Sequence, residues 1–189
     1  MKQRIKCKDE AIARLVARPK SGDGIRVGGM FTVRCIGKDG NVKWIDESHN
    51  LVVYAGLEYL LDVGLCGGAQ VSTWYIGLTA ATPVPANGDT MAGGHGGWTE
   101  FTNYDEATRQ TFVEVRTDRQ VDNSASVAVF TISADSSTIG GAFLVSVSTK
   151  GGSTGTLLCC VAFTGGNKAA DDGDTLEVQY NFTAADDGV

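Results

Sequence analysis

Few side chains in this chain of 189 residues are placed to do chemistry, and the two histidines come first. His49 lies in DESHNL, just ahead of an apolar run, where capping or a local hydrogen bond is its ordinary role. His95 lies in MAGGHGGWTE, between glycines that let a backbone approach another molecule closely, so it reads as a ligand contact beside Trp98. A hydrolytic triad would also need a positioned nucleophile, and no GxSxG elbow is present. Asp171, Asp172 and Asp174 in AADDGDTLE offer oxygen donors at the short spacing that calcium favours. The EF-hand order, with its glutamate at the twelfth position, is absent. These carboxylates, and Asp186 and Asp187 in the tail, therefore read as solvated turns, and no metal site is expected. Carboxylate pairs for glycoside hydrolysis are defined by spatial separation, and no pair stands out along the chain. No GxxxxGK[ST] loop occurs, and GIRVGG opens a strand where a dinucleotide fingerprint would open a helix. No catalytic residue and no cofactor are expected.

Two further residue types are informative. Cys7, Cys35, Cys66, Cys159 and Cys160 are odd in number and contain no CxxC. Cys159 and Cys160 are neighbours in an apolar run that reads as a strand, so they must point to opposite faces and cannot grip one ion together. They read as small buried hydrophobes, a usage that suits folding in a reducing cytosol. Trp44, Trp74, Tyr75, Trp98, Phe101 and Tyr104 could build a platform for a sugar or a base, although most belong by type to core and interface. The candidate contact loop is His95, Trp98, Phe101 and Tyr104, inside a Gly-rich stretch over residues 83–105 that is too long for a hairpin.

Charge divides the chain. Residues 1–50 hold 11 Lys and Arg against 6 Asp and Glu, net +5, and residues 51–189 hold 5 against 16, net −11. The excess is concentrated in the first 20 residues, where Lys2, Arg4, Lys6, Lys8, Arg14, Arg18 and Lys20 face only Asp9 and Glu10. A basic arm over residues 1–25 thus precedes an acidic body over 26–189. Such an arm attracts phosphate or an acidic protein surface by a screened, salt-dependent interaction, while the acidic body argues against a nucleic-acid binder. No apolar run approaches the 18 or so residues that a membrane helix needs, and the N-terminus lacks the apolar stretch of a secretory signal.

The elements that must position these residues are mainly strands. Met30 to Ile36 and Val42 to Ile45 flank GKDGN, a hairpin signal. In NLVVYAGLEYLLDVG the apolar residues Leu51, Tyr54, Leu57, Leu60 and Leu61 recur at three and four residues, which predicts a helix near 50–64, capped by Asn50 and stopped by Gly64. Apolar segments at 71–79, 109–118, 126–133, 140–149, 155–165 and 174–183 follow, separated by turn residues. With 25 glycines and only 3 prolines, the chain is predicted to be an antiparallel β-sandwich or jelly roll of about eight strands, a single domain with one short helix. Leu157 to Phe163 is almost continuously apolar and should be central.

The blocks WIDESHNLVVYAGLEYLLDV, STWYIGLTAATPVPANGDTMAGGHGGWTEFTNYDEATRQTF, STIGGAFLVSVSTKGGSTGTLLCCVAF and GDTLEVQYNFTAADDG, over residues 44–188, resemble a family of small structural proteins from the head gene cluster of tailed bacteriophages, similar to capsid decoration, or cement, proteins. The resemblance implies a non-enzymatic virion protein on the outer capsid surface, made in the host cytoplasm and self-associated as a homotrimer. It implies the major capsid protein as partner, with no membrane or nucleic-acid partner. The arm lies outside the resemblance, and its assignment to capsid contact rests on charge alone. The alternative expectation is a tail or fibre component whose loop at 83–105 contacts a glycan or receptor.

Overall fold

The computed structural model describes residues 24–92 and 97–186. The chain folds as a mainly β, antiparallel protein with one helix. It opens on the expected hairpin, β1 (Ile25–Ile36) and β2 (Val42–His49), whose turn places Gly40 at φ 79°, a left-handed conformation that costs glycine little. β3 (Leu51–Val52) and the helix α1 (Tyr54–Leu65) follow, and then β4 (Trp74–Thr79) and β5 (Glu100–Phe101). Next come β6 (Gln110–Phe112), β7 (Val115–Thr117), β8 (Gln120–Asp122), β9 (Ala128–Thr131), β10 (Ser137–Ile139) and β11 (Gly141–Val145). β12 (Leu157–Ala162), β13 (Lys168–Ala170) and β14 (Thr175–Asp186) complete the order.

One six-stranded sheet runs β2-β1-β14-β8-β7 with β9 also on β14, a second runs β3-β12-β11-β4-β5 with β6 also on β4, and β10 and β13 pair as a small third sheet. β1 and β14, twelve residues each, pair along their whole length and form the spine of the first sheet. Alternation then sets the core. Phe31, Val33 and Cys35 on β1 and Leu176, Val178 and Tyr180 on β14 all face inward and are buried. Across from them stand Ile76 and Leu78 of β4, Ala142 and Leu144 of β11, and Cys159 and Val161 of β12. Tyr180 joins the layers: its ring stacks on Phe31 at 4.2 Å, lies 5.8 Å from Phe112, and its hydroxyl accepts from the Cys159 thiol at 3.3 Å.

The second sheet is buried on both faces. Phe143 and Val145 of β11, with Leu157 and Cys160 of β12, form a smaller core on its outer face with Val53, Met91 and Trp98. Burial on both sides accounts for the unbroken apolar runs of β11 and β12, and β12 does have a neighbour on each side. Cys159 belongs to the inner core and Cys160 to the outer one, on opposite faces. Burial pushes both thiols up, Cys159 to about 11 and Cys160 to about 12, and burial with the nearby Asp174 carboxylate pushes Cys35 to about 11. At pH 8 a thiol at 11 has roughly 200-fold less reactive thiolate than one at an ordinary value of about 8.5. Alkylation of the native protein at pH 8, mapped by peptide mass spectrometry, should therefore modify exposed Cys66 and leave Cys35, Cys159 and Cys160 untouched until denaturant is added.

Two expectations are corrected. Among the described residues fourteen strands form where about eight were expected, because β3, β5, β7, β8, β10 and β13 are two or three residues long and too short to show a period. The helix begins later than its apolar spacing suggests. Leu51 and Val52 pair with Cys160 and Cys159 as β3, and Val53 occupies the N-cap position without a side-chain cap. Asn50 instead donates its side-chain amide to the Tyr180 hydroxyl at 3.0 Å and its backbone N–H to Gly29 at 3.1 Å. Gly64 lies inside the helix. The chain leaves it at Gly67, φ 71°, where the Gly68 N–H closes back on the Asp62 carbonyl at 2.9 Å. Gly56 lets α1 sit directly on the β12 backbone, because a Cβ there would collide with Leu158.

Candidate functional site

The long connection between β4 and β6 carries the candidate contact residues Trp98, Phe101 and Tyr104. Its aromatic side chains turn inward, which corrects the expectation of a ring platform. Trp98 packs on Phe143 with ring centroids 4.8 Å apart, covering the outer face of the second sheet. Phe101 sits on β5 opposite Leu78 in the inner core. Tyr104 meets Phe130 edge-on at 5.0 Å and carries Lys150 over its ring at 4.2 Å, and burial pushes its phenol well above the ordinary tyrosine value. All three rings are at least 95 % buried, so none can stack on a sugar or a base. Trp98 is needed inside because an open sheet face carrying Phe143, Val145, Leu157 and Cys160 has to be covered, while Phe101 and Tyr104 fill the inner core. His95 lies outside the described residues. So do Lys2, Arg4, Lys6, Lys8, Arg14, Arg18 and Lys20.

What fastens this connection is a pair that carries no signal along the sequence. Arg109 is fully buried and meets Glu100 as a fork, Nε to Oε1 at 2.9 Å and Nη2 to Oε2 at 2.7 Å. Its remaining donors reach the carbonyls of Val147 at 2.9 Å and Gly152 at 2.6 Å, and the Gly151 N–H donates to Glu100 at 3.0 Å. The guanidinium also lies 5.3 Å from the Phe143 ring centre. One ion pair thereby ties β5 and the residue ahead of β6 to the turn between β11 and β12. Arg109 is an isolated arginine, nine residues from Glu100 across a loop, and its type suggests the surface.

The carboxylates of the last turn are not all solvated, a second correction. Asp174 is buried and accepts from Lys43 Nζ at 2.6 Å, from the Asp171 N–H at 2.8 Å, and lies 3.9 Å from the Cys35 thiol. Lys43 also donates to Asp171 at 2.8 Å, and Lys38 to Asp172 at 3.0 Å. The DDGD turn is thus fixed to the β1–β2 hairpin by two lysines, and its oxygens face ammonium groups. Among the described residues no group of three or more His, Cys, Asp or Glu side chains is placed to hold a metal ion. No helix among them is long and apolar enough to cross a membrane. His49 ends β2 on the exposed surface, one residue before Asn50.

Asp46 anchors the other side of the hairpin. Burial pushes its carboxyl up, but donation from the Ser48 hydroxyl at 2.5 Å, from the Gly165 and Thr164 N–H groups at 2.9 and 3.1 Å, and from Lys168 at 3.3 Å outweighs burial and holds it below the ordinary value. Asp171 is held down by its bonds from Lys43 and the Ser136 N–H. A group whose pKa is lower folded than unfolded binds fewer protons in the native state, so it contributes stability above its unfolded value and loses it as pH falls through the folded one. Thermal stability should therefore drop as pH falls below about 4. Asp46→Asn should start less stable at pH 7 and lose less between pH 5 and 2.5, as scanning calorimetry would read. An equal loss in both proteins would remove Asp46 from the acid response.

The fold is thus antiparallel, with two six-stranded sheets and one two-stranded sheet among the described residues, and the segment from β5 to β6 is fastened by a buried ion pair. No protein-family model matches the chain, no curated protein matches it, and no solved structure matches it.

Proposed function

We propose that this chain is a non-enzymatic virion structural protein of a tailed bacteriophage, one that decorates and stabilises the outer capsid as a symmetric trimer against the major capsid protein. The observation that carries the reading is the fastened loop. A connection long enough to serve as a binding loop buries its aromatic rings, Trp98 on the outer sheet face and Phe101 and Tyr104 in the inner core, and its last part is clamped by Arg109 and Glu100. A shell-reinforcing part needs such a block, with both faces of one sheet filled and few elements free to open. Symmetry supplies the affinity, because once one subunit of an oligomer is seated the contacts of the others become intramolecular.

The sequence blocks over residues 44–188 that resemble phage head proteins support the same reading, as does the concentration of positive charge in an arm ahead of an acidic body. A glycan-binding tail or fibre part has less support, since Trp98, Phe101 and Tyr104 are all buried. The copy number of the chain, measured against the major capsid protein in purified virions, tests the proposal. Hundreds of copies per particle are expected of a decoration protein. Tens of copies would overturn it in favour of a tail part.

A further inference from the structure

The sequence contains one Asn-Gly pair, Asn87-Gly88, and the fold sets it at the tip of an open turn. The flanks of the turn are fixed. The Ala86 N–H donates to the buried Asp89 carboxylate at 2.9 Å, and the Asp89 N–H returns to the Ala86 carbonyl at 3.0 Å. Between them Asn87 and Gly88 are exposed, and among the described residues neither the Asn87 side chain nor the Gly88 N–H has a hydrogen-bond partner. A Cβ built on Gly88 would meet nothing within 4 Å, so the two groups have room to close on each other. The Asn87 carbonyl, in contrast, accepts the Tyr54 N–H at 2.7 Å, at the first turn of α1.

We propose that Asn87 is a self-modifying site, where the side chain cyclises on the Gly88 nitrogen with the N-terminus of α1 assisting, and the asparagine becomes aspartate and isoaspartate. The Gly88 nitrogen gives its proton to solvent base and attacks Cγ of Asn87. The new N–Cγ bond forms, the bond from Cγ to the amide nitrogen breaks, and that nitrogen leaves as ammonia. Water then opens the five-membered imide, at one carbonyl to aspartate and at the other to isoaspartate. Nothing is oxidised or reduced, and water is the only co-reactant. The helix acts on the first step. A peptide that loses its N–H proton carries the charge largely on its carbonyl oxygen, and here that oxygen already faces the Tyr54 N–H and the positive end of a helix dipole.

The other asparagines are held or crowded. Asn41 donates to Asp39 at 2.7 Å, Asn167 accepts from Thr82 at 2.7 Å, and the buried Asn123 is bonded at both ends of its amide to Val178 and Tyr180. Every asparagine except Asn87 also precedes a residue whose side chain hinders the attacking nitrogen. Either product adds a negative charge beside a helix start that has no side-chain cap and no acidic residue in its first turn, a place where the dipole favours one. The modified protein should therefore stay folded.

Full-length protein incubated at about pH 9 and 37 °C tests this, with peptide mass spectrometry to follow the gain of about one mass unit and electron-transfer fragmentation to identify isoaspartate. Asn87 should convert at least tenfold faster than any other asparagine, with unchanged circular dichroism. Gly88→Ala should slow it at least tenfold. Tyr54→Pro removes the N–H at a helix position and after an extended residue, Val53, that both accept proline, and it should slow conversion at least threefold. A synthetic peptide over residues 82–92 should convert no faster than the folded chain. Conversion faster in the peptide would mean that the fold protects the pair, and would overturn the proposal. So would a rate at Asn87 no greater than elsewhere, while a rate unchanged in a folded Tyr54→Pro would overturn the part assigned to α1.

Discussion

Arg109→Ala is expected to cost about 3–5 kcal/mol of folding stability, a large share of the margin of a domain this size. The figure follows from what the substitution leaves behind. Glu100 keeps its charge and its bond from the Gly151 N–H but loses two short bonds from the guanidinium, in a place where 3 % of its side chain sees solvent. The carbonyls of Val147 and Gly152 lose their donors as well. At about 2–4 °C per kcal/mol for chains of this length, the melting temperature should fall by roughly 6–20 °C. Arg109→Lys should recover only part of the loss, because three ammonium protons on a flexible stem cannot reproduce a planar fork that serves Glu100 and two carbonyls together. Arg109→Met with Glu100→Leu should come back close to the wild type, since a buried pair replaced by apolar side chains of similar volume leaves no bare charge. Denaturant unfolding of the wild type, Arg109→Met, Glu100→Leu and the double variant gives the coupling energy directly. A single-variant loss below about 1 kcal/mol would mean that the connection is held by Trp98 and Met91 alone.

How far such features are legible in the sequence depends on how local their physics is. The β1–β2 hairpin can be read from GKDGN because the turn residues themselves set the geometry. The inward set of Leu176, Val178 and Tyr180 can be read because alternation is a property of the strand. Cys159 and Cys160 point to opposite faces for the same reason. β3 could not be read. Leu51 and Val52 continue the apolar spacing of the helix, and only the open edge of β12 draws them into a sheet. The buried Arg109 shows the same limit, since an arginine is driven inside by partners 9, 38 and 43 residues away. One signal did bear on it. Unbroken apolar runs in β11 and β12 require cover on both faces, and the only long segment free to supply the second cover is the Gly-rich loop with its tryptophan. Read that way, Trp98 belongs to the core before any coordinate is consulted, and the loop needs an anchor. The sequence offers no means of choosing that anchor.

The second large effect is expected at the arm, and it rests on the proposed capsid role. Residues 1–20 carry +5 while residues 51–189 carry −11, so the arm cannot be repelled by an acidic shell in the way the body is. Reversing Lys2, Arg4, Lys6 and Lys8 to Glu should weaken attachment to the capsid and leave the sandwich folded, because none of the four lies within the β1–β14 spine. Exposed ion pairs contribute roughly 0.2–1 kcal/mol each, so four reversals should cost on the order of 1–4 kcal/mol. That is about fivefold to a thousandfold in affinity per subunit, multiplied where several arms of an oligomer bind together. Salt should act in the same direction, since the screening length shortens to about 3 Å at 1 M and exposed attractions fade with it. Shell occupancy, read by sedimentation and gel densitometry for the reversal and for a chain lacking residues 1–20, decides between the arm and the sandwich as the seat of attachment. Full occupancy in both would place every capsid contact on the sandwich. Loss in the truncation alone would assign attachment to the arm but not to the charges of Lys2, Arg4, Lys6 and Lys8.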